Sequence, residues 1–356
     1  MKITDIRLKQ CVLRKEDPNW RFALGANPTT EGVIISIETQ DGLTGYGYAS
    51  ATAHMGATRD GLTKTLEDLI PVLKKFDPLA MSAIRVAVNE AVSGNNQAKA
   101  AIDNALFDLV AKSMKVPLHS LFGGAIRTEF PVLRILAIKQ PKEMAEQAQK
   151  LFDEGYRYFK IKVHGEIDLD IARVAAIREQ VGDEANLTVD ANQAYTPEDA
   201  ITAITGMAKS RIDLVEQPVA IDDFDGLKRV TDSVRVTIEA DESARSIEDV
   251  YELVSNRSVD AISLKVPKLG GLWNTLAAAQ ICKIGNVKYR FGAHVGSRLL
   301  NAPAMHLAAT LPDIWYASEF GEFERLLDDP FEGIGVEDGV IRLPNAIGAG
   351  IEPVNL

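Results

Sequence analysis

The stretch YFKIKVHG, residues 158–165, reads as a buried strand, because Tyr158, Phe159, Ile161 and Val163 supply the apolar and β-branched side chains that strands favour. It also carries Lys160 and Lys162, two residues apart and therefore on one face of that strand. A buried strand that aims two ammonium groups at one place needs a reason, and the surrounding sequence supplies it.

The same texture recurs from about residue 130 onward. The runs PVLRILAI, YRYFKIKV, ANLTVDAN, IDLVEQP, VTIEADE, DAISLKV, KYRFGAH and WYASEF alternate with helical segments. Eight β-type runs separated by helices predict a (β/α) barrel. Lys162, Asp190, Glu216, Asp241, Lys265, His294 and Glu319 follow one another at intervals of 24 to 29 residues, one per repeat. Each falls at the end of its run, where a barrel displays catalytic side chains. A doubly wound open sheet also alternates strands and helices, but it calls for a glycine-rich nucleotide fingerprint, and no GxGxxG follows a strand here.

Upstream, EGVIISIET and the turn QDGLTGYG predict a hairpin with Gly42 in its turn, and helical spacing marks Asp60 to Leu73 and Gln97 to Met114, with Pro117 after the second. The tail from Leu326 is rich in turns and short extended runs and is expected to return to this first unit. The division expected is 1–125, 126–325 and 326–356. The hydrophobic fraction of 46% with 25% charged residues is that of a globular protein, and no apolar run approaches the roughly 20 residues that cross a bilayer. The N-terminus shows no signal-peptide core, so a cytoplasmic location is expected. Two isolated cysteines, Cys11 and Cys282, argue against a disulfide framework or a thiolate zinc site. A net charge of -11 without a basic block argues against nucleic acid or an anionic membrane as partner, which leaves a small molecule.

Three acids end three successive runs: Asp190 in LTVDAN, Glu216 in LVEQP and Asp241 in IEADES. In a parallel barrel these strands are neighbours, so the acids converge at the C-terminal mouth and repel one another. A hard divalent cation resolves that repulsion, and an all-oxygen donor set favours magnesium over zinc. Each acid alone could instead cap the helix after its strand; matched positions in three repeats favour the metal. Asn192 and Glu242, next to these acids, are placed to orient them.

Lys160 and Lys162 end the run before Asp190, and Lys265 ends the sixth run, across the mouth with the metal between. Crowding by a cation and by another ammonium is expected to lower a lysine pKa and to make it a general base near neutral pH. Lys268, in KVPKLGG, follows the strand and is the poorer candidate.

These segments resemble the enolase superfamily and, within it, the muconate lactonizing enzyme subgroup: KIK, DAN, EQP, ADES and the lysine of SLKVPKLGG occur in that order. AIDNALFDLVAKSMKVPLHSLFGG is similar to the closing segment of the family's capping domain. The resemblance implies a (β/α)7β modified TIM barrel, an α/β fold, with an α+β capping domain built from the N-terminus and the C-terminal tail. It implies Mg2+ held by Asp190, Glu216 and Asp241, and a substrate carboxylate whose α-proton is removed to give an enediolate steadied by Lys160. It makes Lys162 and Lys265 bases on opposite faces, an arrangement that permits inversion. Homo-oligomers are also implied.

In mandelate-racemase-like members a His pairs with an Asp from the sixth strand; here that position is Lys265, so no His-Asp dyad is expected. His294 either touches substrate or packs beneath the lid, and His306 is expected on the barrel exterior. Dipeptide epimerases of the subgroup usually end the eighth strand with Asp-x-Asp, which holds the substrate's ammonium. SEFGEF instead sets Glu319 and Glu322 at another spacing, a departure that weighs against a dipeptide and leaves Glu319 for a cationic or hydroxyl group. The family's specificity loops correspond to residues 19–29 and 50–60, where Trp20, Phe22 and Met55 would form an apolar lid and Arg21 or His54 would face a polar group; Asn192 joins these as a substrate contact.

The function expected is a magnesium-dependent racemase or epimerase acting α to the carboxylate of an N-substituted amino acid, cyclic imino acid or dipeptide. A dehydratase or cycloisomerase using the same enediolate is the alternative. A binding protein that has lost the chemistry would lack catalytic residues, and none is missing.

Overall fold

The computed structural model describes residues 1–354 and 356, the side chain of His54 excepted. Three long antiparallel strands, Ile3–Lys15, Thr29–Thr39 and Thr44–Ala51, form the first sheet, with Leu326–Leu327 from the tail added beside Ile3–Lys15. Gly42, at φ 75°, makes the turn of the hairpin, and its N–H donates to the Thr39 carbonyl at 3.0 Å. Val33, Ile35 and Ile37 face helices Arg59–Leu73, Met81–Ala91 and Asn96–Met114, while Ile34, Tyr48 and Leu13 join the core on the barrel side. Burial on both faces explains why 29–39 reads as a nearly continuous apolar run. Two of these helices stand where helical spacing put them; Met81–Ala91 is an addition, a short one with only Ile84 and Val88 buried.

Helix Asn96–Met114 is buried almost all round, because the sheet presses on one side and the barrel on the other. Close approach depends on Gly45 and Gly47, alternate residues of one strand face: a Cβ on either would overlap the carbonyl oxygen of Ala105 or Ala101, one helical turn apart.

The second unit is a seven-stranded parallel sheet whose spatial order is its sequence order: Leu133–Leu136, Tyr158–Lys162, Asn186–Asp190, Leu214–Glu216, Thr237–Ala240, Ala261–Leu264 and Lys288–Phe291. A doubly wound sheet would reverse that order part-way, so the curled α/β arrangement is of the barrel type. The eighth run is not a regular strand. It spans the two sheet edges through isolated parallel bridges, Ile314 with Tyr289 and Ser318 with Val132, and Glu319 N–H donates to the Phe291 carbonyl at 2.9 Å. In the tail, Val340–Arg342 pairs with Glu129–Pro131 and Phe331–Glu332 with Glu352–Pro353. Cys11 and Cys282 are buried free thiols. Among the described residues no helix is long and apolar enough to cross a membrane.

Cap and barrel meet through polar side chains at helix ends. Asp103, buried in helix Asn96–Met114, accepts the Leu272 N–H at 2.7 Å and so caps the barrel helix Leu272–Gly285 from outside. Burial pushes its pKa up to about 6, against the lowering effects of Arg85 and of the Leu272 and Trp273 amides. A carboxyl with a raised folded pKa binds its proton more tightly folded than unfolded. Its contribution to stability is therefore favourable at low pH and is lost as pH rises from about 4 to about 6, by up to about 3 kcal/mol. Asp103→Asn is expected to flatten this part of the stability profile in urea titrations between pH 4 and 7; an unchanged slope would contradict the assignment.

Candidate active site

The strand ends of the barrel and residues 20–30 and 51–55 of the cap enclose a cavity of about 240 Å3. Its acids lie side by side because their strands are in register: Asp190 is opposite Glu216, and Glu216 opposite Glu239. Asp241 follows two residues after Glu239 and shares its face. Strand alternation likewise sends both Lys160 and Lys162 inward. Lys160 Nζ lies 3.0 Å from Asp190 Oδ2, 2.7 Å from Glu216 Oε2 and 2.6 Å from Glu319 Oε1. Lys162 Nζ donates to Asp190 Oδ2 at 2.6 Å and to Asn192 Oδ1 at 2.8 Å. From across the mouth, Lys265 pairs with Asp241 Oδ2. Asn192 Nδ2 donates to Glu242 Oε1 at 3.0 Å, and Asn192 N–H to Asp190 Oδ1 at 2.9 Å, so the Asn192 and Glu242 pair does brace the first acid.

At Lys160 and Lys265, the carboxylates that these ammonium groups face act against the lowered pKa expected from crowding. Burial does act against the Lys160 ammonium, but Asp190, Glu216 and Glu319 outweigh it and hold its pKa well above the usual lysine value. Burial is similarly overridden at Lys265, where Asp241 and Glu319 raise the pKa. Asp241 in turn is held well below the carboxylate range against its burial, by Lys265 and Lys268. Carboxylates set the local field, and they act on each ammonium at contact distance.

The donor set around Asp190, Glu216 and Asp241 is all oxygen. Glu216 Oε1 is buried with no hydrogen-bond partner, and burial together with Asp190 raises the Glu216 pKa well above the usual value. An orphaned carboxylate oxygen between two further acids fits a hard divalent cation. In the structure the countercharge comes from Lys160, Lys265, Lys268 and Arg290, and among the described residues no three His, Cys, Asp or Glu side chains form a ready-made metal cluster. A cation would compete with these side chains for the same oxygens.

Residues 143–355 match the family described as enolase C-terminal domain-like, and residues 8–123 match the mandelate racemase / muconate lactonizing enzyme N-terminal domain. The chain belongs to the enolase superfamily. It is 35% identical to a hydrophobic dipeptide epimerase of Enterococcus faecalis, over 99% of both chains. The crystal structure of the dipeptide epimerase from that organism, complexed with Mg and the dipeptide L-Leu-L-Tyr, superposes with a TM-score of 0.94 at 35% identity over 99% of this chain and 100% of that one. An N-succinyl-L-Arg/Lys racemase of Bacillus cereus is 29% identical over 99% of this chain and 95% of its own. A chloromuconate cycloisomerase of a Pseudomonas species is 32% identical over 90% and 88%. Kinship to epimerases, racemases and cycloisomerases makes the chain an isomerase of this superfamily, and its likeness to dipeptide epimerases and an N-succinyl amino acid racemase supports epimerase activity.

Within this superfamily fold, sequence reading missed the residue on which the acids converge from below. Arg290, fully buried on the seventh strand, donates to Glu319 Oε1 at 2.8 Å and to Glu239 Oε2 at 2.6 and 3.0 Å, and it pairs with Glu216. The signal was period-two alternation: Glu239 shares a face with Asp241, and Arg290 is an arginine in an otherwise buried run, KYRF. Lys268, read as the poorer lysine, does not line the cavity. One turn after Lys265, it is fully buried and donates to Asp241 Oδ1 at 2.7 Å and to the Ser263 carbonyl at 3.1 Å.

Of the lid residues, Trp20, Phe22 and Met55 line the cavity, with the Trp20 and Phe22 ring centroids 5.5 Å apart. Arg21 is exposed and does not line it, and the His54 side chain lies outside the described residues. His294 lines the cavity and sits 2.9 Å from Ser50 Oγ through Nδ1, which links the seventh strand to the capping sheet. His306 is buried rather than exterior, stacked on His119 with Nε2 3.2 Å from the Ala349 carbonyl, because the tail covers that helix. Glu319 Oε1 is taken by Lys160 and Arg290, and Oε2 accepts the Ala293 N–H at 3.0 Å. Glu322 turns away and pairs with Arg134 at 3.2 Å.

Arg290→Met would leave three buried carboxylates without their common partner, a loss of about 3–5 kcal/mol. Adding Glu239→Gln is expected to restore part of it in a double-mutant cycle read by urea denaturation; strict additivity would show that the two side chains are not coupled.

Proposed function

We propose that this isomerase is a magnesium-dependent racemase or epimerase that inverts the α-carbon of an N-substituted amino acid, with Asp190, Glu216 and Asp241 holding the metal. The observation that carries the reading is the placement of Lys162 and Lys265. Each is buried, each borders the same cavity, and they are anchored at opposite ends of the acid row, on Asp190 and Asp241. Magnesium at these acids would supply electrophilic stabilisation to a substrate carboxylate.

The chain's own residues do the rest. Asp241 is what holds Lys265 protonated, and its commitment to a cation would release that hold; one of Lys162 and Lys265, as the neutral amine, then takes the α-proton from its face, and the other, as the ammonium, delivers a proton from the opposite face. The roles exchange for the other enantiomer. Lys160, whose pKa its neighbours keep high, stays protonated and steadies the enediolate that forms. Trp20 and Phe22 exclude water above it.

Preference for an N-substituted amino acid over a dipeptide rests on the eighth segment. Glu319 Oε1 is shared by Lys160 and Arg290 and its Oε2 accepts the Ala293 N–H, and Glu322 Oε1 is held by Arg134, so a substrate ammonium would compete with partners already in place. The racemase of N-succinyl-L-Arg/Lys among the relatives agrees with such a substrate. Likeness to chloromuconate cycloisomerases favours a second reading, in which one lysine suffices and the product is a lactone or its ring-opened acid.

Incubation with magnesium in deuterated water, against N-acyl amino acids, dipeptides and muconates, decides between them. The expected result is deuterium at the α-carbon with inversion and otherwise unchanged mass. Lys162→Ala and Lys265→Ala should each lower racemisation about 10^3-fold and abolish exchange from one face only; racemisation at the parental rate in either variant would overturn the two-base reading. Chelation should stop exchange. Magnesium should raise the melting temperature of the parent protein and leave that of Glu216→Gln unchanged; equal shifts in the two proteins would remove Glu216 from the metal site.

A further inference from the structure

Lys15 ends the first strand of the capping sheet, and its backbone is fixed twice. Its N–H donates to the Pro28 carbonyl at 2.9 Å, and it pairs in register with Leu326. Its ammonium lies 3.7 Å from the centre of the Trp20 ring. The side chain lines the candidate active site and also a second cavity of about 530 Å3, which shares Trp20, Ile135 and Val295 with the first.

Charge pairing singles this residue out. In the first cavity Lys160, Lys162 and Lys265 each touch an acid. In the second, Arg134 pairs with Glu322, Lys139 with Asp17, Lys150 with Glu154 and Arg325 with Glu16. Among the described lysines and arginines that line either cavity, Lys15 alone has no carboxylate within 4.0 Å. Burial lowers its pKa to about 8 and the Lys162 ammonium adds to that, while Glu322 and Asp17 oppose only from a distance. An ammonium held at an apolar boundary without a counterion gains most from an anion that arrives with the ligand.

We propose that Lys15 is a specificity-determining residue that binds a second carboxylate of the substrate, so that the enzyme acts on amino-acid derivatives with an anionic group beyond the α-carboxylate. This rests on the racemase reading, in which the α-carboxylate faces Asp190, Glu216 and Asp241. The distal carboxylate then lies where the two cavities join, against the Lys15 ammonium and the Trp20 ring. Such a carboxylate can be carried on the N-acyl group or on the side chain, and the chemistry at Lys15 is the same.

Four probes separate the cases: N-succinyl-L-leucine and its distal amide, and N-acetyl-L-glutamate and N-acetyl-L-glutamine. Each is tested with magnesium for binding by calorimetry and for α-proton exchange. The expected result is that at least one acid surpasses its amide by about tenfold in binding and in kcat/KM, through KM rather than kcat. The acyl or side-chain pair that shows the preference tells which source is used. Lys15→Gln should bring the acid-to-amide ratio to about one, and Lys15→Arg should keep it well above one. No preference in the parent protein, a preference that survives in Lys15→Gln, or no binding of any probe would each overturn the proposal. Lys15-dependent binding without exchange would keep the anion site and remove the racemase reading; exchange without an acid preference would do the reverse.

Discussion

The burial of Arg290 among Glu216, Glu239 and Glu319 is the constraint on which the rest of the site depends. Six carboxylates, Asp190, Glu216, Glu239, Asp241, Glu242 and Glu319, meet five cations, Lys160, Lys162, Lys265, Lys268 and Arg290, all of them buried. Acids so crowded cannot all ionise without compensation. Arg290 supplies it from beneath, in a planar fork that Lys could not reproduce, and Lys160 supplies it from the second strand. The imbalance is visible in the acids themselves. Glu216, Glu239 and Glu242 have raised pKa values, and each keeps one oxygen without a hydrogen bond, whereas Asp190 and Asp241, nearest the lysines, are lowered. Further positive charge beside Glu216 is what the cluster lacks, and that is the electrostatic case for a divalent cation there.

Much of this was legible in the chain because a barrel converts sequence period into spatial neighbourhood. One charged residue per repeat, at strand ends, places Lys162, Asp190, Glu216, Asp241 and Lys265 around one mouth on spacing alone. Glu239 and Arg290 were less visible, because they lie one pleat deeper, where a polar residue in an apolar run carries no hint of its partner. The partners of Lys268 were hidden for a local reason. The sixth strand ends at Leu264 and a short helical turn over Val266–Leu269 swings Lys268 back onto Asp241, a reversal that strand periodicity cannot announce. At Lys160, neighbouring ammonium groups matter less than carboxylates at 2.6 to 3.0 Å, a contact that strand periodicity does not display. The eighth run was legible as extended chain but not as a bridge between sheet edges.

The cap contributes geometry that the barrel alone could not. Gly45 and Gly47 let helix Asn96–Met114 lie flat on the sheet, and that helix reaches the barrel through Asp103 at Leu272 and through Asn96, whose amide donates to the Lys268 carbonyl at 2.8 Å. On the far edge, Thr30 donates to the Val295 carbonyl at 2.7 Å and Ser50 meets His294. The capping sheet and its long helix are thus tied to the segments that follow the sixth and seventh strands, the same segments that carry Lys265 and His294. Trp20 and Phe22 themselves are placed by a short hairpin, Arg21–Phe22 with Gly25–Ala26, whose Arg21 carbonyl accepts the Ile138 N–H at 3.0 Å beyond the first barrel strand.

Specificity in such a site follows from which charges are already answered. Glu319 stands at the mouth and by position alone would suit a cationic substrate, yet Lys160 and Arg290 already share its Oε1 and the Ala293 amide takes its Oε2. Glu322 is likewise held by Arg134 and the Ile135 amide. A substrate ammonium would therefore have to displace an existing ion pair, at the cost of leaving a lysine or arginine buried and unpaired. A substrate whose nitrogen is acylated asks for no such exchange. The eighth segment thus meets the site through Lys160 and Arg290, while the cap forms the cavity's other wall, where the first strand ends in Lys15 beside Trp20.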